Sequence, residues 1–445
     1  MKKGIEGFMG KTFQYYHNKL RSLETVEHSG KVMKVVGLTV ESNGPVVNMG
    51  DICRIYPSTG DSYVEAEAVG FKDQRVLLMP FGGMDGIGFG SRVVSTGQSL
   101  QVPVSDELVG RVLNALGKPM DGGGPIHAAT YYPVDNAPPN PLSRTRIKDE
   151  FPLGIRAIDG LLTVGQGQRL GIFAGSGVGK STLLGMIARN AVADVNVIVL
   201  VGERGREVKD FIEKDLGPRG LQKSVLIVAT SDQPALLRLK AAMVGTSIAE
   251  YFRDKGMKIL LLMDSVTRFA MAQREIGMAV GEPPISRGFP PSVYSILPKL
   301  LERSGTSDKG SITGLYTVLV EGDDMNEPIA DTVRGILDGH IVLSRALATS
   351  NHYPAIDVLE SVSRVMKDIV SPEQYEKAAY IKNVMAVYKK AKDLIDIGAY
   401  KSGSSPEIDE AIRLNPKINK FLRQGIDESP TYEEVKKELF ALCEE

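Results

Sequence analysis

A glycine-rich segment that follows an apolar run carries the clearest chemical signal in the sequence. Residues 169–182 read RLGIFAGSGVGKST, and Ala174 stands where the usual pattern has its first glycine. Glycines let the backbone turn tightly so that successive N–H groups point inward, and the following helix adds the positive end of its dipole. Lys180 can then reach the β- and γ-phosphates of a nucleotide such as ATP, while the Ser181 hydroxyl can ligate Mg²⁺. The predicted phosphate-binding loop consists of Gly175, Ser176, Gly177, Val178, Gly179, Lys180, Ser181 and Thr182.

Acidic residues follow two apolar runs that are predicted to be strands. Asp264 comes directly after residues 259–263, and the run at residues 195–201 is followed by Gly202 and Glu203. Because ligands of open α/β sheets collect at the carboxyl ends of the strands, both carboxylates should lie beside the phosphate loop. Asp264 would hold Mg²⁺ there, directly or through water, and Glu203 would orient and deprotonate a water molecule. Glu207 begins the next predicted helix, where an acidic side chain commonly complements the helix dipole.

Phosphoryl transfer also needs positive charge beside the γ-phosphate, and an arginine from a neighbouring subunit can supply it. Spacing alone does not choose among the arginines that fall near predicted loops, which are Arg204, Arg268, Arg287, Arg345 and Arg364. An acidic loop at residues 321–328 could present carboxylates to a basic partner, although most charge runs are only solvated surface.

Composition is that of a globular protein with more than one domain. The 445 residues are 42% hydrophobic and 24% charged, with a formal net charge of −1. This balance gives no overall electrostatic reason to bind nucleic acid or an anionic membrane. Two cysteines do not make a disulfide framework, and no apolar stretch has the length of a membrane span or of a secretory signal core. We therefore expect a cytoplasmic location.

Changes in hydrophobic period divide the chain into four parts. Residues 1–24 have apolar side chains at steps of three and four, which predicts an amphipathic helix. Residues 25–105 have short runs punctuated by glycine and proline, which predicts a small β-barrel. Within them, Val36, Leu38 and Val40 alternate with other residues, and Asn43-Gly44 predicts a hairpin turn.

The other two parts are predicted to be an α/β domain and a helical domain. In residues 106–365, apolar runs at 169–174, 195–201, 225–230 and 259–263 are separated by helical stretches. This alternation predicts an α/β fold with a parallel sheet that is covered on both faces. Beyond Ser371 the spacing becomes helical, and residues 366–445 form the predicted C-terminal helical domain.

With these residues in view, the chain resembles the rotary-type hexameric ATPases, and among them the flagellar protein-export ATPases and their virulence type III secretion relatives. The resemblance runs nearly end to end. It implies a RecA-like P-loop NTPase core, assembled as a homohexamer that binds ATP and Mg²⁺ at the subunit interfaces. The most specific segments are residues 173–181, 202–208, 318–345, 354–364 and 397–400.

The resemblance also assigns roles that spacing leaves open. Glu203 matches the catalytic carboxylate, and Arg204 and Arg268 match arginines on the phosphate side. Arg364, in the run Ser-Val-Ser-Arg, matches an arginine finger that is donated across the interface. Tyr353 matches an aromatic residue that stacks on adenine, as a ring face can do with any base.

The partners implied by the resemblance are those of an export ATPase. Asp323 and Asp324 match a loop that faces a central stalk protein, and a stator-like negative regulator is expected at residues 1–24. Export-gate membrane proteins and chaperone–substrate complexes are expected too, which would place the chain peripherally at the inner face of the cell membrane. Hydrolysis would release export substrates from chaperones and aid their unfolding and delivery to the gate. The run DTVRGI at residues 331–336 is closer to flagellar examples than to virulence examples.

Two other functions use the same core. A non-catalytic nucleotide-binding subunit of a rotary synthase ring would keep the phosphate loop but typically lacks the base, so Glu203 argues against it. An RNA translocase of the transcription-termination type would need an aromatic and basic stripe on its barrel. The near-neutral charge and the absence of such a stripe argue against that function, and no nucleic-acid partner is expected.

Overall fold

The structure, a computed structural model, describes residues 28–57, 62–320, 322 and 324–444. The helix predicted at residues 1–24 and the predicted stalk-facing residue Asp323 lie outside the described residues. The chain divides into two compact units, with the boundary between Leu100 and Gln101. No helix in the described ranges is long and apolar enough to cross a membrane.

The first unit contains the predicted β-barrel. Six antiparallel strands close on themselves in the order β1-β2-β5-β4-β3-β6. Their inward side chains, such as Val32, Ile55 and Leu78, are fully buried. The strands are β1 (Ser29–Val36), β2 (Thr39–Ser42), β3 (Asp51–Tyr56), β4 (Val64–Lys72), β5 (Arg75–Pro80) and β6 (Arg92–Ser99).

The first hairpin of the barrel turns earlier than predicted. Val36 pairs with Thr39, so Gly37 and Leu38 make the turn, and Gly37 has the positive φ, +57°, that such a turn requires. Asn43-Gly44 follows the end of β2 instead, so the predicted turn there is wrong. The apparent alternation from residue 36 to residue 40 runs through this turn, and Val36 is 46% exposed.

The second unit is built on a largely parallel sheet, as predicted. The strand order is β17-β16-β10-β15-β13-β11-β12-β8, with β14 beside β15, while β7 and β9 form a separate pair. The strands are β7 (Gln101–Val104), β8 (Val112–Asn114), β9 (Thr130–Pro133), β10 (Arg169–Ala174), β11 (Val195–Glu203), β12 (Ser224–Thr230), β13 (Lys258–Asp264), β14 (Gly305–Thr306), β15 (Ser311–Leu319), β16 (Gly339–Leu343) and β17 (Ile356–Ser363).

Helices cover this sheet and continue to the end of the described chain. A π-helical stretch, Phe211–Leu216, joins α3 to α4. The helices are α1 (Arg156–Leu161), α2 (Lys180–Asn190), α3 (Gly205–Asp210), α4 (Gly217–Leu221), α5 (Ala235–Asp254), α6 (Val266–Val280), α7 (Pro291–Leu301), α8 (Pro328–Ile336), α9 (Arg345–Thr349), α10 (Met366–Ile369), α11 (Pro372–Asp396), α12 (Pro406–Leu422) and α13 (Tyr432–Glu444); short 3₁₀ turns lie at Asp106–Leu108 and Pro141–Ser143.

Strand register brings the chemically interesting loops to one edge of the sheet. Ala174 at the end of β10 is level with Leu319 of β15, and Leu200 of β11 is level with Asp264 of β13. The central strands are apolar at nearly every position because helices cover both faces. The loops after β10, β11, β13 and β15 therefore emerge side by side.

The C-terminal helices belong to the same compact unit as the sheet. They pack on α1 so closely that a Cβ on Gly160 would lie 3.0 Å from Phe421. Arg156 of α1 also forms ion pairs with Glu428 and Glu438, at 2.5 and 3.1 Å. The helices predicted from the spacing of residues 366–445 are thus held against the segment that precedes the phosphate loop.

Candidate nucleotide-binding site

A cavity of about 1040 Å³ opens where the loops after β10, β11 and β15 meet. Its wall includes the phosphate-loop residues Gly175, Ser176, Gly177, Gly179, Lys180, Ser181 and Thr182. Val178, the remaining residue of the predicted loop, is 2% exposed and packs into the hydrophobic core. The loop therefore presents main chain, Lys180 and Ser181 to the cavity while Val178 anchors it from below.

The turn into helix α2 depends on Gly179. This residue has a φ of +88°, in the left-handed region that side chains rarely adopt, and it directly precedes the first turn of the helix. A Cβ here would also lie 3.3 Å from Cε1 of Tyr353. The helix N-terminus, with its free N–H groups and positive dipole end, consequently opens on the cavity and suits an anion.

The predicted lysine and two predicted carboxylates converge behind the loop. Nζ of Lys180 lies 2.5 Å from Oδ1 of Asp264 and 3.6 Å from Oε1 of Glu203. Thr317 on β15 donates a second hydrogen bond to Oδ1 of Asp264, at 2.7 Å. Asp264 is 4% exposed and lies outside the cavity wall, whereas Glu203 forms part of the wall. The lysine therefore lies between a buried carboxylate and one that faces the cavity.

Burial and neighbouring charge shift the protonation of these groups. Burial, followed by the charge of Asp264, raises the pKa of Glu203 to about 7, and part of this rise comes from Glu207, which accepts a hydrogen bond from the protonated form. The same hydrogen bond lowers the pKa of Glu207. Burial disfavours the charge on Lys180, but Asp264 and Glu203 outweigh it and raise its pKa. These shifts favour the charged lysine at neutral pH and place the pKa of Glu203 near neutrality.

Glu207 is more than a residue that complements a helix dipole. It lies in the cavity wall with Glu203, one helical turn along from the end of β11. The sequence pattern of a helix start predicts only a contact with the helix dipole, because it gives no information about which side chains lie opposite Glu207. Because it accepts a hydrogen bond from protonated Glu203, it is part of the acid–base environment of the cavity.

Four of the candidate arginines line this cavity, namely Arg204, Arg268, Arg287 and Arg345. The Arg204 side chain is 82% exposed, while Nε of Arg268 is buried without a hydrogen-bond partner. Arg268 packs directly on Gly202. A Cβ on Gly202 would lie 3.1 Å from the Cβ of Arg268, and Gly202 has a φ of +72°. Glycine at this position lets the arginine lie against the end of β11.

Arg364 is placed differently. It follows β17, and its Nη1 donates to the Leu337 carbonyl at 3.2 Å. Across the described ranges, the residues that line the cavity do not include Arg364. The sheet edge therefore holds this arginine away from the phosphate loop of its own chain.

Other residues of the site were not predicted. Arg274 stacks on the Phe289 ring, 5.3 Å from its centroid, and both side chains line the cavity. Thr317, which orients Asp264, comes from a strand more than fifty positions away in sequence. No spacing signal marks these residues, because they are brought together only by the order of the strands and by the loop after α6.

The oxygen donors at this site fit Mg²⁺ that binds together with a nucleotide. No cluster of three or more His, Cys, Asp or Glu side chains in the described parts of the chain could hold a metal by itself. Mg²⁺ usually takes one or two protein oxygens and completes its shell with phosphate oxygens and water. The Ser181 hydroxyl in the wall and the Asp264 carboxylate behind it are donors of this kind.

Family models match three consecutive parts of the chain. The beta-barrel domain of the ATP synthase alpha/beta family matches residues 32–97, and the nucleotide-binding domain of that family matches residues 154–363. The T3SS EscN ATPase C-terminal domain matches residues 370–441. These matches follow the barrel, the sheet and the C-terminal helices in order.

Individual proteins are similar over nearly the whole chain. The flagellum-specific ATP synthase of Bacillus subtilis is 56% identical, covering 92% of this chain and 94% of the relative. The type 3 secretion system ATPase of Xanthomonas euvesicatoria is 51% identical, covering 93% and 94%. The structure of the assembled ATPase EscN of enteropathogenic E. coli has a TM-score of 0.87 and 46% identity, covering 93% and 99%. The structure of EscN in complex with its central stalk EscO has a TM-score of 0.86.

The fold thus agrees with the family that the sequence motifs resemble. It contains the β-barrel, the α/β nucleotide-binding core and the C-terminal helices. The chain belongs to the family of flagellum-specific ATP synthases and type III secretion system ATPases, and it is an enzyme that hydrolyses ATP.

Proposed function

We propose that this chain is the Mg²⁺-dependent ATPase that energises type III protein export, in flagellar assembly. The observation that carries the proposal is the convergence of Lys180, Asp264 and Glu203 at the open edge of the sheet, beside a phosphate loop. A binding module would need the loop alone. A partly buried carboxylate whose pKa lies near 7 and which faces the cavity is in addition suited to general-base work at neutral pH.

In the proposed reaction, the loop N–H groups and Lys180 bind the β- and γ-phosphates of ATP. Ser181 and Asp264 would hold Mg²⁺, which would neutralise phosphate charge. Ionised Glu203 accepts a proton from water as the water oxygen bonds to the γ-phosphorus. The bond to the β–γ bridging oxygen breaks, and its electron pair leaves with ADP. Arg204 and Arg268 stabilise the negative charge on the transferred group.

Substitutions of Lys180 and Glu203 should separate nucleotide binding from the chemical step. Lys180→Ala removes the cation beneath the phosphates, so ATP hydrolysis should fall at least about 100-fold. Glu203→Gln removes the base but keeps the size of the side chain, so nucleotide should still bind while turnover falls by about 100-fold or more. Steady-state hydrolysis and equilibrium binding of a fluorescent ATP analogue measure the two effects. Loss of nucleotide binding in Glu203→Gln would indicate a structural role for Glu203. Full turnover in Lys180→Ala would contradict the proposal that Lys180 binds the phosphates.

The pH dependence of hydrolysis should report the Glu203–Glu207 pair. Because the base acts in its ionised form, kcat/KM should rise with pH through the Glu203 pKa of about 7. Glu207→Gln removes a neighbouring negative charge that raises this pKa, so the rising limb should move to lower pH. Glu213→Gln is the matched control, because Glu213 is exposed and pairs with Lys209 at 3.7 Å instead. If the rising limb of the pH profile does not move in Glu207→Gln, or moves equally in both variants, Glu207 does not raise the pKa of the catalytic base.

We also propose that the active form is a homohexamer whose sites are completed between subunits by Arg364. The position of Arg364 outside its own cavity supports this proposal, because an arginine that acts on the γ-phosphate must then come from a neighbour.

Tyr353, whose ring lies beside Gly179, is proposed to stack on the adenine.

Mixing two inactive variants should restore activity if Arg364 acts across the interface. Arg364→Ala keeps its own loop and Lys180→Ala keeps its arginine, so random mixing completes about a quarter of the interfaces in a ring. Hydrolysis by the mixture should exceed that of either protein alone. A mixture of Lys180→Ala with the double variant completes no interface and is the control. No recovery in mixtures that form mixed rings by native mass spectrometry would exclude the finger in trans.

The proposed partners follow from the export role. A central stalk protein would contact the loop that includes Asp323 and Asp324, and the EscN–EscO complex supports a stalk partner. In the described part of this loop, Asp324 lies 3.7 Å from Arg287 of the cavity wall. A stator-like negative regulator at residues 1–24, the export gate and chaperone–substrate complexes complete the proposed assembly. The chain would lie in the cytoplasm, peripherally at the inner face of the cell membrane.

Deletion of the gene in its source organism should test the export role directly. Flagellar filament protein should disappear from the culture medium and motility should be lost, because export substrates are no longer released and delivered. The wild-type gene should restore both, and Glu203→Gln should restore neither although its protein accumulates. Normal flagella with loss of virulence effectors from the medium would indicate the virulence system instead.

A further inference from the structure

Tyr353 links the phosphate loop to the segment that follows α12. The ring of this residue lies against the phosphate loop, since a Cβ on Gly179 would be 3.3 Å from it. Its main-chain carbonyl accepts a hydrogen bond from the N–H of Gln424, at 3.0 Å. Gln424 comes just after α12, far along the sequence from Tyr353. One hydrogen bond therefore joins the proposed adenine contact to the C-terminal helices.

The side chain of Gln424 is fixed at both ends of its amide. It is 6% exposed, and its Oε1 accepts a hydrogen bond from the N–H of Arg156 at 2.9 Å. Its Nε2 donates to the carbonyls of Gly154 at 2.8 Å and Glu428 at 3.1 Å. Because buried amides keep their orientation when donor and acceptor are both satisfied, this side chain can hold its own main chain in place.

Neighbouring contacts hold the rest of this segment. Arg156 forms an ion pair with Glu428 at 2.5 Å, and the Glu428 carboxylate accepts a hydrogen bond from the N–H of Gly425 at 3.1 Å. Arg156 begins α1 and Gly154 lies two residues before it, in the unit that carries the phosphate loop. The side chain of Gln424 thus contacts the start of α1, while its main chain contacts Tyr353.

We propose that Gln424 is a positioning residue for the nucleotide base. By fixing its main chain against the start of α1, it holds the Tyr353 backbone, and with it the ring, in the orientation that receives adenine. The inference rests on the proposed stacking of Tyr353 on adenine. Gln424 is almost fully buried and acts through Tyr353, so it sets the affinity for the base and leaves the chemical step to the residues around Lys180.

Substitution of Gln424 should separate KM from kcat. In the full-length chain, Gln424→Ala should raise the KM for ATP about fivefold, the effect of one net hydrogen bond, with kcat little changed. Gln424→Met keeps the side-chain volume without the hydrogen bonds and should have the same effect if the alanine variant does not fold. The inhibition constant of inorganic tripolyphosphate, which has no base, should not change in either variant.

Gln374 provides a matched control for loosening of the C-terminal helices. It is 1% exposed and hydrogen-bonds Tyr432 at 3.0 Å, but its hydrogen bonds do not reach Tyr353. Gln374→Ala should leave the KM for ATP unchanged. An equal rise in KM in Gln374→Ala and Gln424→Ala would mean that Gln424 acts only by holding the helices, and it would overturn the proposal.

A double-mutant cycle with Tyr353→Ala tests the route of the effect. If Gln424 acts through Tyr353, Gln424→Ala should raise KM in the parent chain but not in Tyr353→Ala. A further rise in the Tyr353→Ala background would overturn the positioning role. If Tyr353→Ala raises KM while Gln424→Ala does not, the inference alone fails. If Tyr353→Ala has no effect on KM, adenine stacking is wrong and the inference fails with it.

Discussion

The ammonium group of Lys180, held between the carboxylates of Asp264 and Glu203, is the interaction on which the rest of the site depends. Removing one partner of a buried ion pair typically costs about 3–5 kcal/mol, because the other charge is left without compensation. The three groups come from separate elements, so only a parallel sheet with this strand order brings them together. The same edge opens on the helix N-terminus that suits phosphate. An incoming polyphosphate can replace the carboxylates as the partner of Lys180, and its cation can replace the lysine as the partner of the carboxylates.

Local pattern predicted much of the core of this site. The apolar run at residues 169–174 is a strand with those bounds, and the glycine-rich loop after it lines the cavity as expected. Asp264 and Glu203 could be placed because carboxyl ends of parallel strands meet at one edge of a sheet. These predictions succeeded because each depends on a short stretch of sequence and on a general rule of sheet geometry.

What the sequence did not predict depends on pairing between distant segments. Turn propensity favoured Asn43-Gly44, but the barrel turns at Gly37, since strand pairing decides which turn signal is used. The hydrogen bond from Thr317 to Asp264 and that from Gln424 to Tyr353 join residues with no shared local pattern. Spacing alone left Arg364 among several arginines, whereas the resemblance to the export ATPases singled it out. Its position on the sheet edge separates it from the arginines in the cavity wall.

The central claim is that each site is completed by a neighbouring subunit, and its most direct test is specific ATPase activity with Mg²⁺ over a wide range of protein concentration. Glu203→Gln protein provides the background rate, and mass photometry at each concentration gives the oligomeric state. The account predicts that activity per chain rises steeply as monomers assemble. Substantial activity that stays constant down to concentrations where only monomers are present would contradict it.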